Sequence, residues 1–177
     1  MGKATARPLS VLGRLYVYGL HSFAAEVTYT GLFHLYTDRN IRLQGYTHIP
    51  VFFIYGFGFL GIEWFYRHYR HRCNIFIRAI IYTIWTYLNE FTWGAVLKQF
   101  EANGWDYEPW FNYHIYGVVT LEYIPLWYFG CIFAELFVIK RTLRLFYDET
   151  TPEEQLPAFM PTKEAEMARA RLEAKQQ

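Results

Sequence analysis

The stretch IFIRAIIYTIWTYLNEFTWGAVL, residues 75–97, decides the fold of this chain. It has about the 20 residues that a helix needs to cross the hydrocarbon core of a bilayer. Arg78 nevertheless lies near its start, and Asn89 and Glu90 lie in its second half. Because ionisable groups are costly at membrane depth, they usually face neighbouring helices and have a function there. The stretch therefore predicts a membrane-spanning helix with other spans packed around it.

The composition is typical of a membrane protein and excludes several other classes. Of the 177 residues, 53% belong to the set AVILMFWYC and 21% are aromatic. The net charge of +1 provides no basic face for nucleic acid. Cys73 lies in a basic turn and Cys131 in an apolar run, without the Cys/His spacing of a metal site. We expect no metal, no cofactor and no nucleic-acid partner, and the partner that the composition indicates is the lipid bilayer.

Three further apolar stretches have the length of membrane spans. The sequence therefore predicts an all-α, polytopic membrane protein whose four transmembrane helices pack as a bundle with short loops. We expect Pro125 to kink the last helix, since its ring removes a backbone hydrogen bond. The predicted spans cover approximately residues 11–33, 48–66, 75–97 and 115–139.

The character of the chain changes after the fourth span. Residues 1–147 form the predicted membrane domain. Residues 148–177 contain a proline-punctuated linker and then alternate Glu with Lys and Arg among alanines. This composition favours a solvated helix without a wide apolar face. We expect residues 148–177 to be a charged, mobile, cytoplasmic tail.

The distribution of Lys and Arg predicts the orientation in the membrane. Basic residues concentrate in the N-terminal tail, in the turn at 67–72 and in the cluster at 140–144. Short loops rich in Lys and Arg stay on the cytoplasmic side of a membrane. We therefore expect both termini in the cytoplasm and the aromatic loop at 98–113 on the outer or lumenal side.

Three glutamates are predicted to lie at one depth below the outer interface. Glu26 and Glu90 each precede the outer end of their span by seven residues, and Glu122 follows the start of the fourth span by seven. At about 1.5 Å per residue, each lies roughly 10 Å below the interface. No Lys or Arg occurs at that level. The hypothesised ligand, ion or proton site consists of Ser22, Glu26, Thr86, Asn89, Glu90 and Glu122.

The same glutamates also allow a purely structural interpretation. Three ionised carboxylates in a low dielectric repel one another, so they need protons, a cation, an amine or water. They could instead accept hydrogen bonds from Tyr, Trp, Thr and Asn89 and only fix helix packing, at about 0.6–2 kcal/mol per bond. The sequence leaves both interpretations open.

Other charged residues lie within about one helical turn of the inner ends of the spans. Glu63, Arg78 and Glu135 are predicted to form ion pairs there, among themselves and with the arginines of the basic turn. The second span also carries Gly56, Gly58 and Gly61, and small residues let helix backbones approach closely in lipid. This glycine face is the expected surface for a protein partner or an oligomer.

The chain also contains a series of segments that occur together in a known family. They include LYVYGLH at 15–21, IYTIWTYLNEFTWG at 81–94, LKQF at 97–100, WDY at 105–107, TLEY at 120–123 and RTLRL at 141–145. In this order, between about Leu9 and Asp148, they resemble the transmembrane protein 229 family and especially its B-like members. That family is grouped with a CmpB-like bacterial domain labelled "putative type IV ABC-transporter permease". The resemblance implies a small multi-pass membrane protein, and it supplies no catalytic or binding residues to transfer.

Two function classes follow from these observations. The first is a transport-related protein, or one that binds a small ligand or ion through its intramembrane carboxylates. The alternative is a non-catalytic scaffold or a partner-binding subunit of a larger complex, which would use the glycine face and the charged tail. We expect no enzymatic activity, because the sequence shows no nucleophile–base pair, metal set or phosphate-cradling glycine loop. Convergence of Glu26, Glu90 and Glu122 on a polar cavity would favour the first class.

Overall fold

The structure, a computed structural model, describes residues 6–148. The predicted charged tail, apart from its first residue, lies outside the described residues. Within them the chain is mostly helical, which confirms that part of the prediction. The long helices are α1 (Val11–Asp38), α2 (Ile49–Tyr69), α3 (Ile75–Gln99) and a fourth helix over Leu121–Thr142.

The described residues belong to two units. The larger unit, residues 9–145, contains the helices and a hairpin of two short strands, β1 (His114–Ile115) and β2 (Val119–Thr120). In the other unit, the strand Ala6–Pro8 pairs antiparallel with the strand Phe146–Asp148.

Local signals in the sequence determine where the helices begin. The side chain of Ser10 accepts a hydrogen bond from the backbone N–H of Gly13 and caps α1. Asn74 caps α3 in the same way through the N–H of Ile77. Pro50 lies in the first turn of α2, where its missing N–H costs nothing. These side chains satisfy backbone donors that a helix start leaves without an intrahelical partner.

The fourth helix begins at Leu121, not near residue 115 as predicted, because a tight hairpin precedes it. Tyr116 and Gly117 both have positive φ, of 55° and 70°, and are the central residues of a turn that closes with a hydrogen bond from the N–H of Val118 to the carbonyl of Ile115. Pro125 therefore falls in the first turn and starts the regular helix, instead of kinking its middle. The departure from α geometry comes later, in a π-helical segment over Ala134–Ile139.

The helices pack in sequence order, α1 on α2, α2 on α3 and α3 on the fourth helix. A cluster of buried side chains joins all four. Its members are Tyr18, Ile62, Tyr82, Cys131, Val138 and Ile139. Both tyrosines in this core are fully buried, and each directs its hydroxyl to a carboxylate.

The glycine face of α2 is occupied by the chain itself. A Cβ on Gly56 would lie 2.8 Å from the Leu15 side chain, and one on Gly61 would lie 2.2 Å from the Trp85 ring. A Cβ on Gly58 would lie 3.2 Å from Nδ2 of Asn89. The glycines therefore allow α1 and α3 to approach α2 closely.

Two of the described helices are long and apolar enough to cross a membrane, α2 and the fourth helix. Both contain a window of mean hydropathy 1.4. The helices α1 and α3 are longer but carry more polar side chains. All four helices nevertheless expose large apolar side chains, among them Leu12, Phe53, Ile84 and Phe129.

Candidate functional site

A cavity of about 330 Å³ lies among the four helices and the loop that follows α3. Four of the predicted site residues line it. Ser22 and Glu26 come from α1, and Thr86 and Asn89 come from α3. Polar side chains of these two helices thus border one space.

Glu90 is buried beside this cavity, with 1% of its surface exposed. Its Oε1 accepts a hydrogen bond from the hydroxyl of Tyr107 at 3.2 Å. Its Oε2 is buried and has no hydrogen-bond partner among the described residues. Trp127 lies beside the carboxylate, and Glu26 is close enough to interact with it electrostatically. The two carboxyl groups therefore lie near each other, with Glu26 in the cavity wall and Glu90 buried beside it.

No Lys or Arg of the described chain forms an ion pair with Glu26 or Glu90. The residues that line the cavity include neither Lys nor Arg. His21 also lines it, but its Nδ1 hydrogen-bonds the carbonyl of Val17. The negative charge of this region, where present, is consequently uncompensated within residues 6–148.

Glu122 is not brought to the cavity. It lies in the first turn of the fourth helix, and its Oε1 accepts hydrogen bonds from the backbone N–H groups of Asn112 and Tyr113, each at 3.0 Å. Its Oε2 accepts from the hydroxyl of Thr120. The fourth helix starts later than predicted. Glu122 therefore lies in its first turn and not seven residues inside a span. Its carboxylate holds the loop and the hairpin together.

The buried carboxylate of Glu135 shows the opposite electrostatic situation. Arg78 donates two hydrogen bonds to it, from Nε at 2.8 Å and from Nη2 at 2.6 Å. Tyr82 donates a third at 2.8 Å, and Nζ of Lys140 lies 3.1 Å from Oε1. Glu135 is fully buried, and the π-helical segment carries it. Its charge is therefore matched by cations and by directed donors.

Glu63 is compensated in a similar way by a different set of residues. Arg14 Nε and the hydroxyl of Tyr18 both donate to Oε2, at 2.9 and 2.7 Å. Arg67 lies 2.9 Å from Oε1. Sequence reasoning named Glu63, Arg78 and Glu135 but missed Arg14 and the two tyrosines. Only helix packing reveals those partners, since Arg14 and Glu63 are 49 residues apart.

Aromatic side chains form much of the remaining cavity wall. They come from α1, α2, the loop and the fourth helix, and their rings lie edge to face or tilted, with centroids 5.4–6.1 Å apart. Tyr29 and Tyr123 also share a hydrogen bond between their hydroxyls. The aromatic residues of the wall are Tyr29, Tyr55, Trp105, Tyr107, Tyr123 and Trp127.

The β1–β2 hairpin positions the loop that contributes Trp105 and Tyr107. The backbone N–H of Tyr107 donates to the carbonyl of Gly117 at 2.8 Å, and the indole of Trp105 donates to Val118 at 2.9 Å. Lys98, at the end of α3, donates to the carbonyl of Tyr116. Burial raises the pKa of Tyr107 well above its ordinary value of 10.0, and the Glu90 carboxylate adds to this effect. The phenol therefore stays protonated and able to donate to Glu90.

The described residues include no group of three or more His, Cys, Asp or Glu side chains that could hold a metal ion. The cavity therefore combines two carboxyl groups, several small polar side chains and aromatic faces. Such a wall suits a small ligand that carries positive charge or can share a proton with a carboxylate.

Comparison with known families gives a match over most of the chain. A family model with the description "Putative ABC-transporter type IV" matches residues 15–156. No solved structure matches the protein. Every residue named above as part of the cavity lies within the matched range.

Proposed function

This chain belongs to the family described as "Putative ABC-transporter type IV", and we propose on that premise that it is a transport-related membrane protein that binds a small ligand or cation. We place the site in the cavity beside Glu26 and Glu90. The family description and the two long apolar helices agree on a membrane protein. The likeness to the transmembrane protein 229 family is part of the same proposal.

The proposed membrane domain has four spans. Helices α1 and α3 have the length of a span, and their exposed faces carry large apolar side chains such as Leu12 and Ile84. The polar residues Arg78 and Glu90 of α3 are buried against other helices rather than exposed. Because these charged side chains do not face lipid, α3 can span the membrane without the energetic cost of exposing a charge to it.

We propose that both termini and the turn between α2 and α3 lie in the cytoplasm. The turn contains Arg67, Arg70 and Arg72, whereas the loop after α3 contains the acidic residues Asp106 and Glu108. This bias follows the rule that Lys and Arg accumulate in short cytoplasmic loops.

One observation carries the assignment of the site. The chain neutralises the buried carboxylates of Glu63 and Glu135 with Arg, Lys and Tyr donors. Among residues 6–148 no Lys or Arg pairs with Glu90, although Glu90 is as deeply buried as Glu135. Burial of an ionised carboxylate without compensation is unfavourable. A bound cation or a proton would compensate it.

The proposal assigns no reaction to this chain. The sequence contains no phosphate-cradling glycine loop. The scaffold alternative holds that Glu26 and Glu90 only fix helix packing. Its expected partner surface, formed by Gly56, Gly58 and Gly61, is covered by Leu15, Asn89 and Trp85 of the chain itself.

The test compares Glu26→Gln and Glu90→Gln with Glu108→Gln in the full chain, purified in mild detergent. Glu108 is an exposed loop residue and provides the matched control. Thermal unfolding is measured with chloride salts of inorganic cations and of small amines. We expect at least one cation to raise the Tm of the wild type and of Glu108→Gln, but not of the other two variants.

Normal membrane levels of Glu26→Gln and Glu90→Gln are part of the expected result. If no cation changes the Tm of the wild type, the proposed site is wrong. If both variants disappear from the membrane while Glu108→Gln does not, the two glutamates act in packing and the scaffold alternative gains.

A further inference from the structure

We propose that the cavity takes an organic ammonium cation, held by the Glu26 carboxylate and the aromatic wall and lying beside the buried Glu90. This inference rests on the proposed function and specifies its ligand class. It depends on three observations, which are the buried Glu90 carboxylate beside the cavity with one unpaired oxygen, the aromatic rings of the wall, and the absence of Lys and Arg from the lining residues.

The unpaired oxygen is Oε2 of Glu90. The residue is 1% exposed, and no described group donates a hydrogen bond to this atom, although Tyr107 donates to Oε1. A buried acceptor without a partner costs about 1–3 kcal/mol, and more when it is charged. A cation in the adjacent cavity would stabilise the charged form of this carboxylate electrostatically.

The aromatic faces distinguish an organic cation from a metal ion. An ammonium group within about 6 Å of a Tyr or Trp ring centroid is attracted by the ring, and several rings together recognise quaternary ammonium ligands. Tyr55 and Trp127 have centroids 5.8 Å apart at an interplanar angle of 56°, so their faces are inclined to each other. Tyr29, Tyr107 and Tyr123 continue the wall. The chain thus supplies aromatic faces from four segments.

Metal ions are a poorer match for the same wall. Ca²⁺ takes six to eight oxygen ligands, and Mg²⁺ demands an octahedral arrangement. Within residues 6–148 no three acidic, His or Cys side chains are placed for such a site. Two carboxyl groups are enough for an ammonium ion, because the rings supply the remaining attraction.

The polar groups of the wall also favour a cation over an anion. The hydroxyl of Ser22 donates to the carbonyl of Tyr18 at 2.8 Å, and Nδ2 of Asn89 donates to Ile54 at 3.0 Å. These donors are therefore engaged with backbone, while Oδ1 of Asn89 remains available as an acceptor. The volume of about 330 Å³ is near the lower end for ligand pockets, which indicates a small molecule.

The experiment uses three probes on the purified full chain in detergent. They are choline chloride, its uncharged isostere with a tert-butyl group in place of trimethylammonium, and potassium chloride. Binding is followed by tryptophan fluorescence, since Trp105 and Trp127 line the cavity, and by thermal unfolding. We expect choline to change both signals and the uncharged isostere to change neither.

Variants test whether the aromatic rings of the wall and the Glu90 carboxylate contribute to choline binding. Trp127→Leu and Tyr55→Leu remove a ring and should each weaken choline binding about tenfold, whereas Trp127→Phe and Tyr55→Phe keep a face and should retain most of it. Glu90→Gln should weaken binding by about tenfold or more. Trp64→Leu is the matched control, because Trp64 is 59% exposed on α2.

The outcomes separate this inference from the proposed function. Equal responses to choline and to its uncharged isostere would overturn the inference. Binding of potassium but not choline, abolished by Glu90→Gln, would also overturn it and leave the cation site standing. If neither this set nor the wider series of cations binds, the inference and the proposed function fail together.

Discussion

The hydroxyl of Tyr107 lies 3.2 Å from Oε1 of Glu90 and donates a hydrogen bond to it. This contact joins the loop after α3 to a carboxylate on α3 itself, at the point where the loop covers the cavity. The hairpin at Gly117 holds the backbone of Tyr107 in place. The loop is therefore part of the candidate site and not only a connection between two helices.

Replacement of Tyr107 by Phe should destabilise the protein by about 1–3 kcal/mol, because both oxygens of Glu90 would then lack a donor. The measurement is thermal unfolding of the purified protein. Tyr113→Phe is the control, since Tyr113 is 68% exposed in the same loop. Equal stability of the two variants would show that the Tyr107 contact contributes nothing.

The stability of the protein should fall more steeply above pH 10 in the wild type than in Tyr107→Phe. Burial raises the pKa of Tyr107 in the folded state, while the unfolded chain releases this proton near the ordinary value of 10.0. Above that pH the unfolded state binds fewer protons than the folded state, so stability decreases as pH rises. Tm measured from about pH 8 to 11 tests this, and parallel curves would contradict it.

Replacement of Arg78 by Met should cost about 3 kcal/mol or more, because the buried carboxylate of Glu135 would lose its bidentate partner. The double variant Arg78→Met with Glu135→Leu should recover much of this loss, since it leaves no unpaired buried charge. Arg72→Met, in the exposed turn, is the control. If Arg78→Met left the stability unchanged, Tyr82 and Lys140 alone would compensate the charge of Glu135.

Gly61→Ala should destabilise the packing of α2 against α3 by about 1–3 kcal/mol. The added Cβ would lie 2.2 Å from the Trp85 ring, and the ring would have to give up its hydrogen bond to the carbonyl of Gly58. Gly130→Ala is the matched control, because no atom lies within 4 Å of its Cβ position. That variant should be neutral or stabilised by up to about 1 kcal/mol, as helix propensity predicts. The ratio of folded to aggregated protein after a heating series measures the stability of the Gly61→Ala and Gly130→Ala variants.

The proposed orientation predicts which side of the membrane reaches Cys73. An impermeant maleimide should label Cys73 in cells whose plasma membrane is selectively permeabilised, and Cys131 should stay unlabelled because it is 3% exposed. Glu108→Cys in a Cys73→Ser background should be labelled only from the opposite side. Labelling of both positions from the same side would contradict four spans with cytoplasmic termini.

Much of the candidate site could be read from residue spacing along single helices. Ser22 and Glu26 lie four residues apart, and Thr86 and Glu90 repeat that spacing on α3, so each pair shares a helix face. The starts of α1, α2 and α3, at Ser10, Pro50 and Asn74, also depend on local sequence, because capping involves neighbouring residues. Glu122 could not be placed this way, because its position depended on a hairpin turn with two positive φ values.

The sequence by itself determined that this chain forms long apolar helices, where most of them begin, and which polar residues share a face. Only the tertiary structure decided that Glu135 and Glu63 meet cations and tyrosines, while Glu90 meets Tyr107 and Trp127 but no cation of the described residues. The physical reason is the distance along the chain over which each interaction acts. Periodicity and capping act over a few residues, whereas the donors Arg78, Arg14 and Tyr107 are 57, 49 and 17 residues from the carboxylates they contact and are selected by how the helices pack.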